Sequence, residues 1–141
     1  MAVRTSTRFS RERAAVPSAR AFTQHVLSSA GTPDDVVERM VLAVAEACNN
    51  AILHAAGDDF TVSILVDGGR ALISISDDGA GFDPPARPSM PGPQATGRRG
   101  LALMQALVDV VDVTSTAGGT TVALMHAFPA ARPQAALVVE G

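Results

Sequence analysis

Apolar positions along the 141-residue chain change period three times after the first helical stretch, and each change predicts a change of element. Residues 16–31, VPSARAFTQHVLSSAG, set Ala19, Phe22, Val26 and Leu27 at helical spacing and stop at Gly31. Val37, Met40, Val41, Val44, Cys48 and Ala51 then recur three and four apart, which predicts one long helix running to about residue 55. Its start is marked by Thr32 as N-cap, Pro33 in the first turn, and Asp34 and Asp35 at the positive end of the helix dipole. From Phe60 the rhythm shortens. FTVSILVDGGRALISISDDG (60–79) predicts two strands joined at Asp67-Gly68-Gly69-Arg70, a hairpin signal. A helical pattern returns over LALMQALVDVV (101–111), and VDVTSTAGGTTVALMHAF (110–127, with Phe128) predicts two strands around a Gly-Gly turn. RTSTRFS (4–10) reads as a short polar edge strand. The order is β-α-α-β-β-loop-α-β-β. It implies an α+β fold, a two-layer α/β sandwich in which helices cover one face of a mixed, mostly antiparallel sheet. Residues 1–128 form one domain in this reading. Residues 129–141 form a C-terminal tail, whose ALVVE segment is able to pair with an edge strand.

Composition narrows the function classes. Apolar residues are 47% and charged residues 18% of the chain, which describes a globular domain with a real core. The net charge of −3 comes with no dense basic block, so direct nucleic-acid binding has little support. The single cysteine, Cys48, excludes an internal disulfide framework and reads as a small core residue. No apolar run reaches the roughly 18–20 residues of a membrane span, and MAVRTSTRFSRERAA has no apolar signal-peptide core, so the expectation is a cytoplasmic protein. One connection stands out. AGFDPPARPSMPGPQATGRRG (80–100) holds five prolines between Pro84 and Pro93, too long and too rich in breakers for a routine link. Loops of that kind tend to carry function or move.

Three clusters carry candidate chemistry. In AEACNNAILHA (45–55), Glu46, Asn50 and His54 stand four residues apart and drift only about 40° per step, so they share one helical stripe. Glu46 can act as a general base or hold a water. Asn50 offers a neutral oxygen suited to Mg²⁺, and His54 can orient either or touch a phosphate. The competing reading is a solvated helix face ending in a dipole-favoured histidine. In SISDDGAGFDP, Asp77 ends a β-run and is followed by Gly79 and Gly81; a carboxylate there can accept from an exocyclic amine while the glycines let the backbone approach a ligand. Asp and Gly are also ordinary turn residues. In QATGRRGLALMQAL, Gly97 and Gly100 bracket Arg98 and Arg99 at a helix start, which is an anion site or a plain flexible loop. Thr120, after two glycines, begins a strand or closes a simple hairpin.

The order and spacing of these clusters resemble the GHKL (Bergerat-fold) ATPases, and within them the bacterial anti-sigma-factor serine/threonine-protein kinases. The resemblance covers about residues 10–128. EACNNAILHA is similar to their N-box, E-x-x-x-N-A-x-x-H, through Glu46, Asn50, Ala51 and His54. DDGAGFDP is similar to the first glycine box through Asp77, Gly79 and Gly81, GRRGLALMQALVD to the second, and GGTTVAL to the final strand with its threonine. Sensor histidine kinases of the superfamily carry an extra helical hairpin for which this chain has no room.

The resemblance implies ATP held beneath the Gly-rich lid with Mg²⁺ ligated by Asn50, and Glu46 as the base that helps activate the attacking hydroxyl. It implies that Asp77 recognises the adenine amine, that Gly79, Gly81 and Gly100 give the backbone room, and that Thr120 contacts the base side. His54, Gly97, Arg98 and Leu101 fall on the remaining matched positions of the nucleotide site. The implied phosphate acceptor is a Ser or Thr of an anti-anti-sigma (antagonist) protein, the alternative partner a sigma factor, and the implied assembly a homodimer with the N-terminal strand and first helix as candidate interface. One position departs. The family's second box reads G-x-G-L, and its first glycine falls here on Arg98, which carries a steric cost glycine does not. Either Gly97 takes over by a one-residue shift with the arginines pairing to phosphate, or the chain is a kinase-like binding module with weak or no ATP turnover.

Overall fold

The computed structural model describes residues 2–54, 57–77, 100–116 and 119–129. Strand β1 (Ala2–Ser10) is followed by helices α1 (Ala15–Ser29) and α2 (Asp34–His54), then by strands β2 (Asp59–Asp67) and β3 (Arg70–Asp77). Helix α3 covers 100–107, and strands β4 (Val110–Thr116) and β5 (Gly119–Ala127) complete the order. The five strands form one sheet in the order β1-β2-β3-β5-β4. The expected, mostly antiparallel sheet is present, and all four described pairings are antiparallel.

Alternation sorts the strand residues onto two faces. Phe60, Val62, Ile64 and Val66 of β2 join Ala71, Ile73 and Ile75 of β3 and Val122 and Leu124 of β5 on the buried face. Helix α2 packs over β3 and β5 and contributes Val37, Met40, Val41, Val44 and Cys48, the stripe its periodicity predicts. Ala19 and Leu27 of α1, and Met104 of α3, close the core. Phe9 of β1 stacks on Phe60 at 5.7 Å and meets Phe22 of α1 edge-on at 6.1 Å, which fastens the edge strand and the first helix to the same layer. The other face is open. Leu65, Leu72, Met125 and Val110 follow one another in register across four strands there, beside a depression of about 180 Å³ lined by Leu65, Asp67, Arg70, Leu72 and Met125.

Local chemistry explains most boundaries. Gly31 takes φ 84°, Thr32 N–H donates to the Leu27 carbonyl at 3.0 Å and Gly31 N–H to that of Ser28 at 3.1 Å, the left-handed glycine cap that stops α1. Gly68 at φ 65° turns the β2–β3 hairpin between paired Asp67 and Arg70. Two expectations need correction. Thr32 does not cap α2: its buried hydroxyl has no hydrogen-bond partner among the described residues, and the helix instead begins with the Pro33 carbonyl accepting from Val37 N–H at 2.9 Å. Nor does the third helix run to residue 111. It stops at 107, because Asp109 turns its carboxylate to accept the Ala127 N–H at 2.8 Å while its own N–H donates to the Met125 carbonyl at 3.0 Å, which delivers Val110 and Val111 into β4. The edge strand is longer than its polar sequence predicts, beginning at Ala2 rather than Arg4. The ALVVE segment and the rest of 130–141 lie outside the described residues, as does 78–99.

Candidate functional site

Topology brings the polar clusters to one end of the sheet. Only residues 55–58 separate the end of α2 at His54 from Asp59, the first residue of β2, so the last turns of α2 lie near the end of the sheet where β2 starts. Phe60 at that end pairs with Asp77, the last residue of β3. Antiparallel β5 enters at the same end through Gly119 and Thr120. The last turn of α2 is held there from outside: the Arg11 guanidinium donates to the Ile52 carbonyl at 3.3 Å, and Arg11 N–H donates to the Asp58 carbonyl at 2.8 Å. A cation at a helix C-terminus satisfies an orphan carbonyl and opposes the dipole. Sequence reasoning missed Arg11, which sits in a short link between strand and helix where nothing marks its partner.

Glu46 and Asn50 are both half-buried on α2, and a third residue joins them. Gly100 opens α3 and is itself buried. A Cβ on Gly100 would lie 2.9 Å from Glu46 Oε2 and 3.2 Å from Asn50 Nδ2. The main chain of α3 therefore rests directly on the two polar side chains, in a cradle that any larger residue would fill. Its φ is not positive, so the requirement here is for space rather than for a special backbone angle. Met104 and Val108, both buried, hold the start of α3 in that place. An acid and an amide four residues apart, beneath a helix N-terminus whose first N–H groups have no partner within the helix itself, combine a proton acceptor, a neutral oxygen and backbone donors in one spot.

Asp77 forms the second part. It is 8% exposed at the end of β3, and the alternation puts it on the face that carries Ile73 and Ile75. Gly119 presses on it: a Cβ there would overlap the Asp77 carbonyl oxygen and stand 3.0 Å from Oδ1. Thr120, half-buried, follows on β5, and its hydroxyl pairs with that of Ser115 at 3.0 Å. Leu101 comes next to Gly100 on α3 and is half-buried. Glu46, Asn50 and Gly100 are thus brought together, and Asp77 and Thr120 share an end and a face of the sheet. The His54 side chain, Gly79, Gly81, Gly97 and Arg98 lie outside the described residues.

For a bound Mg²⁺ the donor set is informative. Among the described residues no group of three or more His, Cys, Asp and Glu side chains gathers to enclose a metal. Asn50 carries a neutral amide oxygen of the kind that suits Mg²⁺, a cation that keeps most of its waters. The bare main chain of Gly100 and the half-buried Asn50 amide beside it are groups that suit the oxygens of a phosphate-bearing ligand. Among the described residues no helix is long and apolar enough to cross a membrane.

These features define a class, a two-layer α/β sandwich whose acidic and amide side chains gather where the helical layer meets one end of the sheet. Comparison with known proteins gives the class its family. Residues 9–126 match the model of the histidine kinase-like ATPase domain. The chain is 36% identical over 110 residues to the serine-protein kinase RsbW of Bacillus pumilus, covering 67% of this chain and 68% of that protein. It is 32% identical over 108 residues to the RsbW of Bacillus subtilis, with the same coverage. In structure it is similar to the RsbU and RsbW domains of Rv1364c from Mycobacterium tuberculosis, with a TM-score of 0.69 at 24% identity over 91% of this chain; it spans 34% of that longer chain. The protein belongs to the histidine kinase-like ATPase domain family, and its sheet order and helical layer are the fold expected of it.

Proposed function

We propose that the chain is an ATP-dependent serine/threonine-protein kinase that also acts as an anti-sigma factor. One observation carries the reading: Glu46 and Asn50 lie side by side against the bare main chain of Gly100. Similarity to proteins named serine-protein kinase RsbW supports it. In this reading Mg²⁺ supplies neutralisation of phosphate charge when bound, and Asn50 is its protein ligand. Glu46 accepts the proton of the attacking hydroxyl as that oxygen bonds to the γ-phosphorus and the bond to the β-phosphate oxygen breaks. Asp77 accepts from the adenine amine, Thr120 stands on the base side, and Gly79, Gly81, Gly97, Arg98, Gly100, Leu101 and His54 complete the nucleotide site. The acceptor is a Ser or Thr of an anti-anti-sigma protein; the other partner is a sigma factor. The protein works in the cytoplasm as a homodimer, residues 1–128 forming the working domain and 129–141 a tail.

The test has two stages. Calorimetric titration of ATP, with and without Mg²⁺, should show binding that depends on the metal and is lost in Asn50→Ala. Phosphotransfer to a candidate antagonist should then fall about 10²–10⁴-fold in Glu46→Gln while nucleotide binding persists. Absence of ATP binding in the wild-type chain sinks the kinase reading and leaves a regulatory binding module.

A further inference from the structure

Gly119, the second glycine of GGTTVAL, has the most constrained backbone in the described structure. Its φ is 137°, a region L side chains rarely adopt. It is buried, and its main chain lies against both the carbonyl and the carboxylate of Asp77. Two hydroxyl pairs hold the start of β5 in that position. Thr121 bonds Ser76 of β3 at 3.0 Å on one side, and Thr120 bonds Ser115 of β4 at 3.0 Å on the other. Asp77 is fixed in turn through its pairing with Phe60, which is fully buried. A methyl group at 119 therefore has no easy relief by sliding β5 away. With the Asp77 main chain held by that pairing, the part able to turn is its carboxylate, whose Oδ1 would stand 3.0 Å from the added methyl.

We propose that Gly119 is a positioning residue for base selection: its bare main chain fixes the Asp77 carboxylate where it accepts the exocyclic amine of a 6-aminopurine. This rests on the reading of Asp77 given above and adds to it the element that makes the acceptor rigid. A carboxylate free to swing can accept from solvent or from other donors, and it discriminates poorly between bases. One confined by main chain on its flank pays no ordering cost when the base arrives and cannot turn away from a base that lacks the amine. A purine with a carbonyl at the same position then faces a fixed acceptor with an acceptor of its own.

The experiment compares Mg²⁺-ATP with Mg²⁺-ITP, whose base carries a carbonyl in place of the amine, by calorimetric titration of the full chain. Wild-type protein should prefer ATP by about 10- to 100-fold, the range of one hydrogen bond to a charged group. Gly119→Ala should lower that ratio toward the value for Asp77→Ala while ITP affinity stays within about threefold of wild type, since no contact to the shared phosphates is touched. An unchanged ratio overturns the proposal, and so does an equal loss of both nucleotides, the mark of a merely structural glycine. If Gly119→Ala does not fold, Asp77→Glu decides: a longer carboxylate has no room against the Gly119 main chain and should lose discrimination, whereas retained preference for ATP overturns the proposal. Wild-type protein that binds neither nucleotide, or binds both alike, removes the Asp77 reading itself, and does so before any Gly119 variant is made.

Discussion

Single residues decide how closely the two halves of the candidate site approach. Gly100 leaves 2.9 Å between a would-be Cβ and Glu46 Oε2, and 3.2 Å to Asn50 Nδ2. Because those neighbours are side-chain ends, Gly100→Ala is expected to fold and to push the acid and amide aside rather than to unfold the domain. Thermal melting should fall by only a few degrees, corresponding to roughly 1 kcal/mol, while Mg²⁺-ATP affinity falls about tenfold or more. A variant with wild-type affinity would show that the contact has no bearing on the ligand. Cys48 is a different case. It is fully buried in α2, and burial pushes its thiol up to about 12, so the folded thiol stays protonated while the unfolded thiol ionises near 9.0. The sign follows from linkage: this group's contribution is intact below pH 9 and is lost as the pH climbs toward 12, because over that window only the unfolded state sheds the proton. Denaturation midpoints measured at about pH 8 and about pH 10.5 should therefore separate more in wild-type protein than in Cys48→Ala. A thiol reagent at neutral pH should leave folded Cys48 unmodified and react fully in denaturant.

At the scale of elements, the sequence shows most of the order and loses some of the joints. The α2 stripe from Val37 to Cys48 was legible because a 3.6-residue period repeated over about three turns is hard to mistake, and β2 was legible because its apolar residues alternate without a break. Thr32 misled because an N-cap motif says nothing of whether the hydroxyl ends up buried away from the helix start. Val110 and Val111 fitted both a helix and a strand, and a long-range bond from Ala127 to Asp109 decided between them. Glu46, Asn50 and Asp77 were legible from spacing; the contacts of Arg11 with Ile52 and of Gly119 with Asp77 were not, since each joins residues some forty positions apart in the chain. Helix α3 joins these levels. It is short, and Met104, 1% exposed, is its main tie to the core. Met104→Ala should cost about 2–5 kcal/mol, the range for deleting a buried methionine side chain. Met40→Ala, in a fully buried position toward the other end of α2, provides the control. At similar losses of stability, Met104→Ala should weaken Mg²⁺-ATP binding several-fold more, because only it loosens the helix that seats Gly100 on Glu46 and Asn50. Equal affinities in the two variants would mean that α3 does not transmit its packing to the site.

For the whole molecule, the arrangement places the candidate site at a seam rather than on one rigid body. Glu46 and Asn50 belong to α2, Gly100 to α3, and Asp77 and Gly119 to the neighbouring strands β3 and β5. One face of that sheet is packed by helices and the other is open, so the helical layer and the sheet hold together chiefly through the single core that includes Val44, Ile73, Met104 and Leu124. A ligand that touches α2, α3 and the ends of β3 and β5 at once ties those parts together, and its binding energy appears as stability of the entire domain. At a nucleotide concentration of about 100 times Kd this linkage amounts to about 2.7 kcal/mol. For a domain of this size that corresponds to a rise in melting temperature of roughly 10 °C. The rise should need Mg²⁺, should vanish in Asn50→Ala, and should appear as one transition that moves as a unit. A ligand held by the helices alone would instead split the melt, lifting the unfolding of the helical layer and leaving that of the sheet in place, and differential scanning calorimetry of the chain with and without Mg²⁺-ATP distinguishes the two.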